Sequence, residues 1–301
     1  MTDKANPLIS IGMPVRNCHK SLAVAIWSLL AQSYTHWELF LIDDGSWDKT
    51  LSVAQQFKDP RIRVHSDGEW RGLAARLNEA IAMSRGKYFA RMDGDDIAYP
   101  ERFERQVSYL NRHPDLDLVG AWVMVFGQGG RPLGKRAGPQ EHAEICRRPF
   151  AGFPMAHPTY MGRLEWFQRY GYRTDVKRSQ DQDLLLRSYR FSRFANVPDI
   201  LLGYSEHKIQ LNKVLASRWF SAQILVRTFC QEQRPQLAIR ALLEQILKAL
   251  ADCLAVTSGL GHRLLRHRAR PITDAEKSNW EHVWKIVSQS EPEASAVYII
   301  N

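Results

Sequence analysis

The chain has 301 residues, 45% hydrophobic and 24% charged, with a formal net charge of +9. That balance is ordinary for a soluble globular protein, and no run of 18 apolar residues offers a spanning helix. Four scattered cysteines (Cys18, Cys146, Cys230, Cys253) form no Cys-x-x-Cys pair and fit a reducing compartment better than a disulfide framework or a zinc site.

The polar start, Met1 to Asn6, has no signal pattern, so a cytoplasmic chain is expected. Leu8 to Val15 reads as a first strand that should end near Pro14, which cannot donate to a sheet ladder, leaving Arg16-Asn17 in a loop. Leu22, Ile26, Leu29 and Leu30 recur at helical spacing. Trp37 to Ile42 is a second strand, stopped by Asp43-Asp44-Gly45-Ser46; Ser46 and Asp48 are candidate caps for a helix through Phe57. Arg61 to His65 is a third strand and Gly72 to Ser84 a helix. Strand and helix alternating in units of about 30 residues predict an α/β fold, a mostly parallel central sheet with helices on both faces. Ligands then bind beyond the carboxyl ends of the strands.

The fourth strand, Lys87 to Met92, runs into Asp93-Gly94-Asp95-Asp96. Three carboxylates in four positions raise one another's pKa unless a cation or a set of donors lies between them. The turn is therefore either a site for a divalent metal with hard oxygen ligands or a solvated cap for the next helix. Arg16-Asn17, Asp43-Asp44 and Asp93 to Asp96 all follow predicted strands, so they should gather along one edge. The Gly-x-Gly-x-x-Gly fingerprint and the Gly-Lys-Ser/Thr phosphate loop are both missing, which removes most of the weight from hydride transfer and ordinary ATPase chemistry.

Pro100 to Arg112 reads as a helix opened by proline, Leu116 to Phe126 as a strand, and Gly127 to Pro132 as a turn or hairpin. Beyond it the strand–helix rhythm weakens. His157-Pro158-Thr159 is a loop, Trp166 to Tyr170 a short helix ending at Gly171, and Gln180-Asp181-Gln182-Asp183 precedes a helical run. Asn196 to Tyr204 is extended and leads toward His207.

Together these landmarks resemble a family-2 glycosyltransferase with the GT-A fold, of bacterial type, over about residues 7 to 207. The ordered motifs are Pro14-Val15-Arg16-Asn17, Asp43-Asp44-Gly45-Ser46, Gly72 to Asn78, Met92 to Asp96, and Gln180 to Leu184 with Tyr204-Ser205-Glu206-His207 behind it. Two departures stand out: Gln180 precedes Asp181 where the family usually has Glu, and Leu77 separates Arg76 from Asn78. The resemblance implies an inverting, metal-dependent transfer from a nucleotide-diphosphate sugar, a UDP-sugar, to a glycan or lipid-linked acceptor in surface polysaccharide assembly. It implies nucleotide-sugar contacts at Pro14, Arg16, Asn17, Asp43, Asp44, Arg76, Asp93 and Gly94, with Asp44, Asp43 beside it, accepting from the imide N–H of uracil. Asp95, Asp96 and His207 are the implied ligands of Mn²⁺ or Mg²⁺, and Asp181 is the implied general base. His157, Trp166 and Asp183 are candidates for the acceptor side, although Asp183 and Arg76 also read as structural.

Residues 1–210 are expected to form the catalytic domain and 211–301 a helical, basic extension. Residues 208–270 hold 11 Lys and Arg against 3 Asp and Glu, nearly all of the excess charge, which invites an anionic partner. Leu237, Ile239, Leu242, Leu243, Ile246, Leu247, Leu250 and Leu254 form a helical stripe expected to dock on the catalytic domain or another subunit. The run Arg263 to Arg270 suits an acidic membrane surface. Two other functions compete. Metal-dependent nucleotidyl transfer wants a glycine-rich loop that Pro14-Val15-Arg16-Asn17 does not supply. A non-catalytic nucleotide- or nucleic-acid-binding protein would leave the acidic turn without a role, and the basic tail lacks the interleaved aromatics of a single-strand groove.

Overall fold

The computed structural model describes residues 6–206, 211–258 and 269–289. Strands β1 (Ile9–Val15), β2 (Trp37–Asp43), β3 (Ile62–Ser66) and β4 (Tyr88–Arg91) alternate with helices α1 (Leu22–Leu30), α2 (Thr50–Ala54) and α3 (Leu73–Met83). They pair in parallel in the order β3-β2-β1-β4. β1, β2 and β4 are buried at every position, as strands covered on both faces must be. Pro14 lies inside β1 rather than at its end. The Val15 carbonyl faces β2, where it accepts from Asp44 N, so the Pro14 nitrogen faces the β4 side, beyond the last β4 pair at Gly12 and Arg91. No ladder bond is lost there.

The second half contains β5 (Ile97–Ala98), α4 (Arg102–Arg112), β6 (Leu118–Phe126), β7 (Pro132–Arg136), α5 (His142–Ile145), β8 (Met161–Arg163), α6 (Leu164–Tyr170), α7 (Gln180–Ser188) and β9 (Phe194–Ser205). The sheet runs β3-β2-β1-β4-β8-β6-β9-β5, with β7 on β6. β8 is antiparallel to both β4 and β6, whereas β6 and β9 are parallel. The sheet is thus parallel over its first four strands and mixed beyond them, where the strand–helix rhythm of the sequence fades. The glycine run after β6 turns the chain into the β6–β7 hairpin.

Helices α8 (Leu211–Gln231) and α9 (Pro235–Thr257) pack on one another, and α8 adds Ile224, Leu225 and Phe229 to a core that includes Phe167, Leu184 and Leu185. Helix α10 (Asp274–Gln289) returns to the sheet. Its Trp280 is fully buried, with ring centroids 4.9 Å from Phe126 and 5.9 Å from Tyr99, and its Nε1 donates to the Gly130 carbonyl at 2.6 Å. Gly203 makes room for that indole: a Cβ there would lie 2.4 Å from the ring.

Beyond Leu237, which is half-buried against the core, the α9 stripe does not dock on the rest of the described chain. The buried residues of α9 are Ala238, Ala241, Gln245 and Asp252, whereas Ile239, Leu242, Leu243, Ile246, Leu247, Leu250 and Leu254 are 43–69% exposed. Small side chains let α9 approach α8 closely, so the large ones are turned outward. His207 and most of the Arg263 to Arg270 run lie outside the described residues.

Candidate active site

The parallel half of the sheet gathers three loops at one edge. Val15 and Asp43 are register partners at the ends of β1 and β2. Asn17, in the left-handed region at φ 50°, ties the first two loops together: its N–H donates to Ser46 Oγ (3.0 Å) and its Oδ1 accepts from Trp47 N (3.0 Å). The Gly94 carbonyl accepts from Ser21 Oγ at 3.0 Å, which fixes the acidic turn to the start of α1. A Cβ at Gly94 would lie 2.8 Å from Val15 and 2.9 Å from Cys18, so the turn closes against β1 only with glycine there.

The two aspartates after β2 have different surroundings. Asp44 accepts from the backbone of Arg71 (2.8 Å) and Gly72 (3.0 Å) and from Arg76 Nε (3.0 Å). Arg76 is fully buried and also holds Asp67 and Glu79, which raise its pKa further; it is a structural hub at the start of α3. Asp43 commits only Oδ2, to Ser46 N and Ser66 Oγ, and its Oδ1 is buried without a hydrogen-bond partner. Beside it the Arg16 guanidinium lies between two indoles, 4.9 Å from Trp47 and 4.5 Å from Trp70, both largely exposed. Neither tryptophan belongs to the motifs that mark this edge in the sequence.

Asp93, Asp95 and Asp96 each place one carboxylate oxygen within 4.8 Å of the others. Asp96 is buried; its Oδ1 accepts from Ser205 N (3.0 Å) and its Oδ2 has no hydrogen-bond partner. Burial, then the charges of Asp93 and Asp95, pushes its pKa well above the carboxylate range. A crowded oxygen cluster with a buried orphan oxygen fits a divalent cation. Asp95 is exposed at the turn, and Asp93 is ion-paired to Arg91.

Asp181 sits in the first turn of α7 and lines a cavity of about 650 Å³ together with Asp93, Arg91, His157, Arg136 and Tyr204. Burial raises its pKa, opposed by a hydrogen bond from Gln182 (2.9 Å) and by the Arg91 charge. His157 Nε2 lies 2.8 Å from the Tyr172 hydroxyl, and burial beside Arg91 lowers its pKa well below the usual range, so the ring is neutral. Arg91, Tyr172 and Arg136 were not singled out from the sequence, because an arginine inside a strand and a tyrosine in a loop carry no pattern of their own.

Two candidates lie elsewhere. Trp166 is buried among Phe167, Tyr170 and Phe194, with its Nε1 on Ser192 Oγ at 2.8 Å. Asp183 is buried against Arg187 (2.8 Å) and Arg173 (3.7 Å), outside the cavity. Arg187 carries the link on to the carbonyls of Tyr170 and Gly171, which anchors α7 to α6.

The family model described as Glycosyl transferase family 2 matches residues 10–171, and the chain belongs to that family. It is a glycosyltransferase, which leaves the nucleotidyl-transfer and non-catalytic alternatives without support. EpsE of Bacillus subtilis, which carries a glycosyltransferase name, is 37% identical over 193 residues, covering 62% of this chain and 68% of that one. The Escherichia coli protein WfgD, named as a UDP-Glc:alpha-D-GlcNAc-diphosphoundecaprenol beta-1,3-glucosyltransferase, is 31% identical over 134 residues (44% and 52% of the two chains). Among solved structures, S. aureus TarS 1–349 in complex with UDP-GlcNAc aligns with a TM-score of 0.64 at 16% identity, over 95% of this chain and 82% of that one. The mannosyltransferase PcManGT of Pyrobaculum calidifontis, in complex with GDP-Man and Mn²⁺, aligns at 0.57 and 16% identity, over 98% and 88%. These structural likenesses establish the GT-A fold.

Proposed function

We propose that the protein is an inverting transferase that moves a sugar from a UDP-sugar to an acceptor hydroxyl in the assembly of a surface polysaccharide or related glycan. The observation that supports this most is the shared cavity, lined both by Asp181 and by Asp93 at the start of the acidic turn. In this reading residues 1–210 carry the catalytic constellation and residues 211–301 form a helical extension.

Asp43 reads the base. Its buried, unpartnered Oδ1 is the acceptor for an imide N–H, the group that marks uracil, and the exposed indoles of Trp47 and Trp70 on either side of Arg16 offer aromatic surface at the same edge. Pro14, Asn17 and Gly94 shape the loops, while Asp44 and Arg76 hold the frame around Asp43. Asp93 serves the ribose or the metal. Asp95, supported by Asp96 and by His207 (outside the described residues), would hold Mn²⁺ or Mg²⁺, and the cation when bound would neutralise charge on the departing diphosphate. Asp181 takes the proton from the acceptor hydroxyl as that oxygen bonds to the anomeric carbon. The bond from that carbon to the diphosphate oxygen breaks, UDP leaves with the electron pair, and the configuration inverts. Neutral His157, held by Tyr172, borders the acceptor side.

A lipid-linked acceptor would put the enzyme at the cytoplasmic face of the membrane; no helix among the described residues is long and apolar enough to cross one. The test is a panel of nucleotide sugars with Mn²⁺, Mg²⁺ or EDTA, read by thermal shift and by slow donor hydrolysis. UDP is expected to stabilise the fold with metal and much less in EDTA. Equal shifts in both would remove the metal from the reading, and a response confined to GDP-sugars would overturn the donor.

A further inference from the structure

The outward face of α9 carries seven large aliphatic side chains from Ile239 to Leu254, a stripe roughly 22 Å long at 1.5 Å per residue. No charged residue interrupts it. The charges of α9 recur every fourth residue along another side, where Arg240 lies over the Phe150 ring at 5.0 Å and the other three meet the body of the protein or α8. Glu244 pairs with Arg148 at 3.0 Å, Lys248 donates to the Ala151 carbonyl at 3.0 Å, and Asp252 meets Arg218 at 3.3 Å. A monomer does not leave a contiguous apolar stripe of this kind without an occupant.

Charge decides between the two occupants such a face could take. The hairpin of α8 and α9 holds its acidic groups in ion pairs: Glu232 with Arg190, Glu244 with Arg148, Asp252 with Arg218. Its cations outnumber them: Lys213, Arg227, Arg234 and Arg240 are also exposed, Arg227 and Arg234 within reach of Asp175 (3.6 Å) and Glu232 (3.9 Å) and Arg240 over the Phe150 ring (5.0 Å). The chain continues directly into Arg263, Arg266 and Arg268. A second copy would bring like-charged segments together, which opposes association, whereas an anionic bilayer is attracted by the cations and receives the aliphatic face. An uncharged apolar face with basic groups around it is the pattern of a helix lying in the membrane interface.

We propose that the Ile239 to Leu254 face of α9 seats the enzyme on an anionic lipid surface. The proposal rests on the functional reading above only for its use, delivery of a lipid-linked acceptor. A second cavity, of about 380 Å³, supports that use. It is lined by Asp181 and Gln182 on one side and by Ser217, Arg218 and Ser221 of α8 and the buried Gln245 of α9 on the other, so it joins Asp181 to the inner side of the hairpin, behind the seating face.

The full chain would be sedimented with phosphatidylcholine vesicles and with vesicles containing one quarter phosphatidylglycerol. The comparison is with Leu243→Gln/Leu247→Gln/Leu250→Gln and, separately, Arg227→Gln/Arg234→Gln/Arg240→Gln. The wild type is expected to bind the anionic vesicles at least tenfold better than the neutral ones. The leucine variant should lose at least tenfold in partitioning with unchanged Tm and nucleotide-sugar hydrolysis, and the arginine variant should lose several-fold. Equal binding by the leucine variant overturns the proposal, as does equal binding to both vesicle types. So does a lipid-free dimer in sedimentation velocity that the glutamines dissociate, which would make the face a self-interface. Vesicle binding that the glutamines abolish supports the seat whether or not a nucleotide sugar is hydrolysed, so the two readings fail separately.

Discussion

Replacing Asp181 by asparagine separates the chemistry from everything else the site does. Asparagine keeps the shape, and its amide oxygen can still accept from Gln182 Nε2, which lies 2.9 Å from the carboxylate in the wild type. What is lost is basicity. A positioned general base contributes roughly 10²- to 10⁴-fold, so kcat for transfer should fall by about that factor while donor affinity, measured by calorimetry, stays within a few-fold. Stability should move the other way. Burial raises the Asp181 pKa in the folded chain, so the native state binds this proton more tightly than the unfolded state, whose carboxyl titrates near ~3.9. Stability therefore falls as pH rises from the unfolded value through the raised native one, and the ionised group is a standing cost above both. The asparagine variant should melt at or above the wild-type Tm at pH 7.5, and the difference should close as pH falls toward 4. Wild-type transfer should also decline as pH drops through the raised pKa. Substantial transfer by Asp181→Asn, followed through released UDP, would place the base elsewhere.

Asp43→Asn should weaken UDP binding about tenfold in calorimetry with little change in Tm, because its amide oxygen can keep the bonds from Ser46 N and Ser66 Oγ while its NH2 replaces the unpartnered acceptor Oδ1 with a donor. Asp44→Ala should instead lower Tm by several degrees, since it takes one of three carboxylate partners from Arg76, buried at 0% exposure, and leaves the amides of Arg71 and Gly72 without their acceptor. Asp95→Asn should damage metal-dependent UDP stabilisation and turnover together, seen as a loss of the difference between Mn²⁺ and EDTA in thermal shift. Trp280→Ala should cost about 3–5 kcal/mol by emptying its pocket against Phe126 and Tyr99, read in urea unfolding.

Most of the catalytic edge was legible in the sequence because turn chemistry is local. Gly94 and the aspartates around it, Asn17 and the Asp43-Asp44 pair are residue types that a tight turn or a charged pocket demands wherever the strands are placed. The resemblance gives the uracil contact to Asp44 with Asp43 beside it, but sequence alone does not settle the labour within that pair. Asp43 and Asp44 are adjacent and identical, and only the through-space arrival of Arg71, Gly72 and Arg76 saturates one and leaves an oxygen of the other unused. Trp166 and Asp183 were similarly ambiguous, and both are taken up by packing and ion pairs. The α9 stripe shows the converse limit. Helical periodicity located an apolar face correctly, but periodicity does not say whether alanines or leucines meet the neighbouring helix. Close approach of α8 and α9 selected the alanines.

The C-terminal residues belong to the wall of the site, although the family match ends at residue 171. Ser179, just ahead of α7, has a left-handed backbone at φ 58°, a conformation that is costly for a non-glycine residue and persists only where surroundings fix it. Here the fixing group is Ser221 of α8, whose Oγ lies 2.9 Å from Ser179 Oγ, two residues before Asp181. On the opposite side, Arg270 and Lys135 exchange backbone hydrogen bonds at 2.7 and 2.9 Å, and both residues line the cavity that holds Asp181. Lys135 Nζ then pairs with Glu276 of α10 at 2.5 Å, and α10 is anchored by Trp280. Asp181, the proposed base, is thus held between a helix hairpin and a returning strap. A shift in α8 relative to the sheet would be felt first at Ser179, and through it at Asp181, the carboxylate proposed to meet the acceptor.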